Sequence, residues 1–234
     1  MKPTLCLLAV LTLAAAQAGA AIESVKFDPD SKLPRLPASL EMQAFTGGHV
    51  ALAIDVSAEG TPTDWLVLGC THEELVTPCL EVLPKWRFSP ARLDGTPVPA
   101  QIEITVNFSV DGIVVSSNTL DEMFIRTLHH DGERFTSRTH PAGELDRVPS
   151  RINGPAPKYA AEALRQGVRG KVQVRFYIDE TGAVRMPAVE ADSQPYLARQ
   201  AIEALRSWKF EPPVSKGRPV LITAVEEFDF GKAE

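Results

Sequence analysis

The chain has 234 residues, of which 44% are hydrophobic and 23% charged, so it can form one or two globular domains and is not disordered throughout. The formal net charge is −6, and the sequence contains no basic run and no alternation of basic with aromatic residues. Nucleic acid and anionic membrane surfaces are therefore poor candidates as partners.

The N-terminus has the three parts of a secretory signal peptide. Lys2 precedes an apolar run of 12 residues from Leu5 to Ala16, and Ala18-Gly19-Ala20 supplies the small residues of a cleavage site. A membrane-spanning helix needs about 20 apolar residues, so residues 1–20 are predicted to be a signal peptide that is cleaved. The mature chain, which begins with a segment at residues 21–35, is then expected to be periplasmic without a membrane span. The alternative of an uncleaved inner-membrane anchor stays open.

The chain contains two copies of one unit. Residues 48–108 match residues 170–230 at a constant offset of 122 without a gap. The match is densest in two pairs of segments, which are Trp86–Pro90 with Trp208–Pro212 and Gly95–Pro97 with Gly217–Pro219. Chance does not produce such an ordered set, so we infer an internal duplication.

Each copy predicts two strands, a helix and a third strand. In the second copy, residues 171–178 alternate between polar and apolar side chains, residues 179–182 form a turn, and residues 184–190 return as the second arm of a hairpin. An apolar stripe at helical spacing comes next, and residues 219–230 form the last strand. The stripe consists of Leu197, Ala201, Leu205 and Trp208 in the second copy, and of Leu75, Cys79, Leu83 and Trp86 in the first.

Two helix positions are less sharply defined. A short helix is expected before each sheet, at residues 38–44 in the first copy and 159–165 in the second. The start of the main helix in the first copy has two alternatives, because residues 71–74 resemble a capping box whereas Thr77-Pro78 would start a shorter helix.

These elements predict an α+β fold with two domains, each an (α)ββαβ unit whose three-stranded antiparallel sheet packs on a helix. The strand order 2-1-3 leaves the last strand as an exposed edge. The domains are placed at residues 36–110 and 151–230, with a linker at 111–150 and a tail at 231–234. The linker holds one possible set of helical turns, formed by Leu120, Met123, Phe124 and Leu128. Docking of the linker onto a domain stays open.

Several motifs relate the two copies to a known family. In the second copy they are Pro157-x-Tyr159 before a helix, Gly170-x-Val172 at the start of a strand, the turn at 179–182, and Trp-x-Phe-x-Pro followed by Gly-x-Pro. This pattern resembles the TonB C-terminal domain family over residues 151–230, and the first copy looks like a diverged member over residues 36–110. The family-motif residues, which are expected to be structural, are Tyr159, Gly170, Gly182, Trp208, Phe210, Pro212, Gly217 and Pro219, and in the first copy Trp86, Phe88, Pro90, Gly95 and Pro97.

The resemblance implies a function in protein binding. Domains of this family receive a short segment of an outer-membrane transporter as an added strand on the edge of their last strand, which is β-augmentation. Carried over, the edge would be Val220–Phe228, with Gln166–Gly170 as a second contact and Val98–Val106 as its counterpart in the first copy. The predicted peptide-binding residues are Val220, Leu221, Ile222, Thr223, Ala224, Val225 and Glu226.

Other interpretations of that edge stay open. The strand could be an unpaired edge that Glu226, Glu227 and Asp229 protect against aggregation. The two domains could instead pair with each other or with a second chain through covered edges, as a structural module capable of self-association. A short membrane-anchored energy transducer is a third alternative, although the chain lacks a convincing inner-membrane anchor and a long Pro-rich spacer.

Cys70 and Cys79 are the only cysteines after residue 20, and they have no counterpart in the second copy. An even pair in an oxidising compartment predicts a disulfide, and two buried free thiols are the alternative. Two groups of possible metal ligands lack a recognised spacing, so no metal site is predicted. They are Cys70, His72, Glu73 and Cys79, and His129, His130, Asp131 and His140. No catalytic motif and no phosphate-binding loop occurs, so we expect neither an enzyme nor a cofactor.

Overall fold

The computed structural model describes residues 22–42, 45–117, 135–159, 163, 165–189 and 194–231. Within them the chain forms two α+β domains built on one plan, which confirms the predicted fold class. The strands of the first domain are β1 (Ile22–Glu23), β2 (Lys26–Phe27), β3 (Gly47–Val56), β4 (Pro62–Cys70), β5 (Phe88–Ser89), β6 (Ala91–Leu93), β7 (Thr96–Val98), β8 (Ala100–Ser109) and β9 (Gly112–Ser117). Its helices are α1 (Ala38–Glu41) and α2 (Val76–Val82), and 3-10 turns at Glu73–Leu75 and Leu83–Lys85 flank α2.

Short elements connect this domain to the second one. They are β10 (Thr136–Ser137), β11 (Thr139–His140), a 3-10 turn at Ala142–Glu144, and β12 (Arg151–Asn153). The second domain then consists of β13 (Lys171–Ile178), β14 (Val184–Val189), α3 (Pro195–Leu205), β15 (Lys209–Phe210), β16 (Val214–Ser215), β17 (Arg218–Pro219) and β18 (Leu221–Asp229).

Three antiparallel strands form the centre of each sheet in the predicted order 2-1-3. In the first domain β4, β3 and β8 lie side by side, and in the second domain β14, β13 and β18 do. The expectation of only three strands per sheet is wrong, because residues 111–150 add β9 next to β8, β10 next to β4 and β11 next to β18. The predicted linker is therefore partly sheet, and the two sheets have five and four strands.

The helices cover the face of each sheet that the sequence alternation marks as apolar. Val172, Val174, Phe176 and Ile178 of β13 are all 2% exposed or less and pack with the stripe of α3. In the first domain, the stripe residues Leu75, Cys79, Leu83 and Trp86 are fully buried against β3. The predicted strand faces and helix stripes are thus confirmed. Pro78 lies in the first turn of α2, where its missing N–H is not needed, so the shorter-helix alternative describes this helix better.

One glycine in each domain joins the hairpin turn to the strand after the helix. Gly182 has φ +82°, and a Cβ there would lie 2.0 Å from the carbonyl oxygen of Phe210, whose N–H donates to the Gly182 carbonyl at 2.8 Å. Gly60 has φ +77° and the same arrangement with Phe88. Only glycine fits this positive-φ position in close backbone contact, which explains why the turn glycine and the Trp-x-Phe motif occur together in both copies.

The two sheets pack against each other through the faces that point away from the helices. A small apolar cluster forms there, with Ala51, Ala53 and Leu68 from the first domain and Tyr177, Met186 and Leu221 from the second. Each of these side chains is 5% exposed or less. The domains therefore contact each other through sheet faces, not through the edges of their last strands as the structural-module interpretation expects.

An ion pair between the domains compensates a pair of like charges in the first sheet. Asp55 and Asp64 lie directly opposite each other on β3 and β4, an arrangement that is repulsive when both carboxylates are ionised. Arg185 of β14 donates from Nε to Asp64 Oδ2 at 3.0 Å and also bonds Asp64 Oδ1 through Nη2. Burial and the charge of Asp64 raise the pKa of Asp55 to about 6. Contact between the domains thus places the Arg185 guanidinium beside the two carboxylates of the first sheet.

Residues 135–140, called the bridging segment below, bind both sheets. Phe135 stacks on the buried His49 with ring centroids 5.2 Å apart, and Arg138 pairs with Glu73 at 2.5 Å. β10 adds to the first sheet through antiparallel pairing with β4, and two residues later β11 adds to the second sheet through parallel pairing with β18. The segment therefore fastens the two domains together across one end of their interface.

Several predictions concern residues outside the described part of the chain. They include the signal peptide at residues 1–20, the helical turns at 120–128, the histidines at 129 and 130, and most of the short helix at 159–165. Among the residues that the structure describes, no helix has the length and hydrophobicity that a membrane crossing requires.

Candidate functional site

The candidate site is the outer side of β18, from Thr223 to Asp229, which we call the open edge. β13 pairs with the inner side of β18 over eight consecutive residue pairs without a bulge. On the outer side, β11 pairs only with Leu221 and Ile222. Within the described ranges no strand pairs with the seven residues that follow.

The register decides which backbone groups the open edge presents. The N–H of Phe230 donates to the carbonyl oxygen of Gly170 at 2.9 Å, so this pair is a hydrogen-bonded one. Hydrogen-bonded and non-hydrogen-bonded pairs alternate along antiparallel strands, so Thr223, Val225, Glu227 and Asp229 direct their N–H and C=O groups away from β13. An incoming strand thus meets four residues whose backbone groups are oriented for pairing.

The equivalent edge in the first domain is occupied by the chain itself. β9 pairs antiparallel with β8 from Ile104↔Ser117 to Ser109↔Gly112, and Ile113 and Val115 of β9 pack against the core. The prediction that Val98–Val106 forms a second binding edge is therefore wrong for Ile104–Val106, because an intramolecular strand already uses their outer side. With the offset of 122, β9 covers the positions that correspond to residues 226–231 of the second domain.

The predicted binding residues of β18 fall into different environments. Leu221 is buried in the domain interface and Ile222 in the helix-side core, and β11 pairs with both. Val220 precedes β18 and donates from its N–H to Pro213. Thr223, Ala224, Val225 and Glu226 lie on the open edge, where Val225 is 54% exposed.

Charged side chains at the far end of the open edge are paired across the sheet. Glu227 accepts hydrogen bonds from Lys171 Nζ at 2.6 Å and from Gln173 Nε2 at 3.2 Å. These bonds lower the pKa of Glu227, and the same contact raises the pKa of Lys171. Such pairing is consistent with an edge whose carboxylates discourage aggregation, and it leaves the outward backbone groups of β18 accessible.

A cleft of about 170 Å³ lies where the open edge meets the first domain. It contains both charged and apolar groups from the two sheets and the bridging segment. Its lining residues are Leu68, Glu103, Phe135, Ser137, Thr139, Arg175, Tyr177 and Thr223. Across it, the Tyr177 hydroxyl donates to Glu103 Oε1 at 3.2 Å, and burial together with the Glu103 charge raises the pKa of Tyr177. An added strand that reached Thr223 would place a side chain at this cleft.

The aromatic family-motif residues make contacts that stabilise each domain internally. Trp208 and Trp86 are 5% exposed or less, and their indole N–H groups donate to the carbonyls of Pro155 and Lys32, each at 2.8 Å. Each tryptophan thereby fixes the chain segment that enters its domain. Tyr159 donates from its hydroxyl to Val168 and packs edge-on against Phe230.

The remaining family-motif residues lie at turns and strand ends. Gly95 and Gly217 have φ +77° and +74° in equivalent hairpins, and Gly170 precedes β13. Phe88 and Phe210 lie in the strand after each helix. Pro97 and Pro219 lie in β7 and β17, and Pro90 and Pro212 are in the intervening loops.

Cys70 and Cys79 are both buried, and both are free thiols in the structure. Cys70 donates from Sγ to Glu73 Oε1 at 3.5 Å, and burial raises the pKa of Cys70 to about 11 and that of Cys79 to about 12. This is the arrangement of the free-thiol alternative, and the disulfide stays a prediction. In the part of the chain described, no three His, Cys, Asp or Glu side chains assemble as metal ligands.

Two features of the site were not predicted, although the sequence carries signals for both. The dipeptide Asp111-Gly112 followed by Ile113-Val114-Val115 is a typical hairpin signal, and it marks β9. Ala51 and Ala53 occupy the face of β3 that would carry polar residues if it were solvent-exposed. Two small apolar residues there indicate close packing against another element.

Comparison with known proteins agrees with this architecture. The family model for the Gram-negative bacterial TonB protein C-terminal matches twice, at residues 34–110 and 155–231. Protein TonB of Yersinia enterocolitica is 35% identical over 77 residues, which are 32% of this chain and 30% of that protein. Protein TonB of Pseudomonas aeruginosa is 32% identical over 94 residues, which are 38% of this chain and 27% of that protein.

Among solved structures, the solution NMR structure of the Pseudomonas aeruginosa TonB CTD matches 38% of this chain and 93% of its own, with 27% identity and a TM-score of 0.30. The regions that match protein TonB of Yersinia enterocolitica and of Pseudomonas aeruginosa span less than a third of the length of those two proteins. Since the two family-model matches together cover about two-thirds of the 234 residues, this chain belongs to the family of Gram-negative bacterial TonB protein C-terminal domains.

Proposed function

We propose that this chain is a non-enzymatic protein that binds extended segments of envelope proteins by adding them as a strand to the open edge. The observation that carries the proposal is the difference between the two domains. The last strand of the first domain pairs with β9 in cis, whereas the corresponding residues of β18 have no strand beside them among the described residues. The pairing of β9 with β8 is thus an intramolecular case of strand addition to the equivalent edge of the first domain.

The backbone groups of the open edge suggest a modest affinity. The four outward-facing residues of the open edge could form about eight hydrogen bonds with an added strand, each with a net contribution of about 1 kcal/mol. Ordering the flexible segment opposes part of this gain. We therefore expect dissociation constants between about 10 µM and 1 mM for short peptides.

The family resemblance suggests which segments bind. TonB C-terminal domains receive segments of outer-membrane transporters, so the N-terminal segments of TonB-dependent transporters are the first candidates for the ligand. The acidic net charge of the chain and its lack of basic runs support a protein ligand over nucleic acid.

An amide-resolved NMR titration tests this proposal. Residues 21–234 are titrated with pooled N-terminal peptides of TonB-dependent transporters, and we expect saturable shifts between Thr223 and Asp229. Val225→Pro removes an outward N–H that the fold does not use, so it should abolish binding and leave the protein folded. The matched control is Val115→Pro on the outer side of β9, where binding should persist. Saturable binding that Val225→Pro does not affect would refute strand addition at this edge.

We further propose that the first domain has a structural role. Its last strand is covered by β9, and its sheet packs on the second domain through Ala51, Ala53 and Leu68. The first domain thus has the covered edge that the structural-module interpretation expects, although its own β9 covers it, and the second domain binds the ligand. One bound segment per chain is expected, and a stoichiometry of two would exclude this division.

The proposed location is the periplasm, after cleavage at Ala20. The same oxidising compartment would permit the predicted disulfide between Cys70 and Cys79. Intact-mass measurement of protein secreted by a Gram-negative host tests both proposals, because the mass gives the first residue and its change after reduction counts the disulfide. Retention of residues 1–20 in the membrane fraction would favour the anchored-transducer alternative.

A further inference from the structure

The back face of the second sheet, which points away from α3, carries a row of long polar side chains. On β13 this row is Lys171, Gln173, Arg175 and Tyr177, because alternate residues share a face. Lys171 and Gln173 bind Glu227 at 2.6 Å and 3.2 Å, and Tyr177 binds Glu103 at 3.2 Å. Three of the four members are therefore bound to a carboxylate.

Arg175 is the exception within the described residues. Its neighbours across the sheet are Val225 on β18 and Ala188 on β14, neither of which can neutralise a guanidinium. Its diagonal neighbours on β18 are Thr223 and Glu227, and the Glu227 carboxylate already accepts hydrogen bonds from Lys171 and Gln173. Arg175 is exposed and lines the cleft at the start of the open edge.

We propose that Arg175 makes the open edge selective for extended segments that carry a carboxylate beside Val225. This inference rests on the proposed strand addition. An added strand would lie about 5 Å beyond β18, so its back-face residue next to Val225 would be about 10 Å from β13. Val225 is a short side chain, 54% exposed, and the long side chains of Arg175 and of a Glu or Asp can meet over it.

The other groups at the cleft support a carboxylate at this position. Thr223 supplies a hydroxyl group that can donate to it, whereas the Ser137 hydroxyl donates to the Thr139 carbonyl at 2.8 Å. Glu103 has the opposite charge to Arg175, but its carboxylate accepts the hydrogen bond of Tyr177. At the far end of the open edge, the cation of Lys171 is bound to Glu227, so an acidic residue gains less there. The carboxylate preference should therefore be confined to one end of the bound segment.

Selection from a displayed library of random octapeptides tests the inference without a known ligand. The targets are residues 21–234 as wild type, Arg175→Gln, and Arg199→Gln, which removes the same charge from the exposed surface of α3. Only clones that fail to bind the Val225→Pro protein are counted, since these use the open edge. We expect Asp and Glu to be enriched at one fixed position with wild type and Arg199→Gln, and not with Arg175→Gln.

The affinities of individual peptides give the second measurement. Replacing the selected Glu with Gln should weaken binding to wild type by about threefold to tenfold, less at high salt, and should not change binding to Arg175→Gln. Edge-dependent clones without an acidic preference, or with a preference that survives Arg175→Gln, would overturn this inference and leave strand addition intact. A selection that yields no edge-dependent clone would overturn both.

Discussion

The interdomain ion pair predicts how strongly the two domains depend on each other. Arg185→Gln removes the cation that bonds both oxygens of Asp64, and it leaves Arg206 as the remaining cation that lowers the pKa of Asp55. The side chains of Arg185 and Asp64 are 30% and 35% exposed, so solvent screens part of the interaction. We expect the free energy of unfolding to fall by about 2 kcal/mol at pH 7, from a half-buried charge-assisted pair and the added repulsion between the two carboxylates.

The pH dependence of this loss has a defined direction. The pKa of Asp55 is raised from 3.8 to about 6, so its protonation stabilises the folded state. That contribution is fully present below about pH 4 and is lost as the pH rises through 6. The charge of Arg185 lowers the pKa of Asp55, so the variant should have a still higher pKa there. The deficit of Arg185→Gln should therefore be smaller at pH 5 than at pH 7.

Urea unfolding of both proteins at the two pH values measures the deficit, with Arg199→Gln as the charge-matched control that should lose less than about 0.5 kcal/mol. Adding Asp64→Asn completes a double-mutant cycle that isolates the pair. A deficit no larger than that of Arg199→Gln, or one that does not depend on pH, would refute the compensation argument.

The turn glycines give two further predictions that separate backbone strain from steric clash. Gly182→Ala should destabilise the protein by about 3 kcal/mol or more, because a Cβ would lie 2.0 Å from the Phe210 carbonyl, whereas Gly217→Ala, with nothing within 4 Å, should lose only about 1 kcal/mol. The same difference is expected between Gly60→Ala and Gly95→Ala in the first domain. Chemical denaturation checks both comparisons, and equal losses within a pair would show that the close contact does not matter.

The central architecture could be predicted because it depends on local patterns that occur twice. Alternation in residues 171–178 identified the strand face that packs on α3, and helical spacing from Leu197 to Trp208 identified the helix face. The duplication fixed the register between the copies, so the weaker pattern of the first copy could be interpreted from the second. These features depend on which side chains are buried within one domain, and the periodicity of apolar residues in a single segment indicates that.

The additional strands were missed because their partners are distant or their signals are short. β10 and β11 have two residues each, too few for any periodicity, and both are held by contacts made elsewhere in the bridging segment. The interface was missed because Tyr177 and Leu221 look like ordinary residues of a solvated sheet face. Their burial follows from the second sheet packing on the first, and no local pattern encodes that contact.

The interface and the open edge are parts of one strand, and this limits what can bind. Along the back face of β18, Leu221 is 3% exposed in the interface, Thr223 lines the cleft, and Val225 is 54% exposed. Beyond Thr223 the outer side of β18 is occupied by β11, which pairs with Leu221 and Ile222. If a segment adds to the open edge as we propose, β11 would stop it at this end. We therefore expect a bound segment to pair only within the seven residues from Thr223 to Asp229.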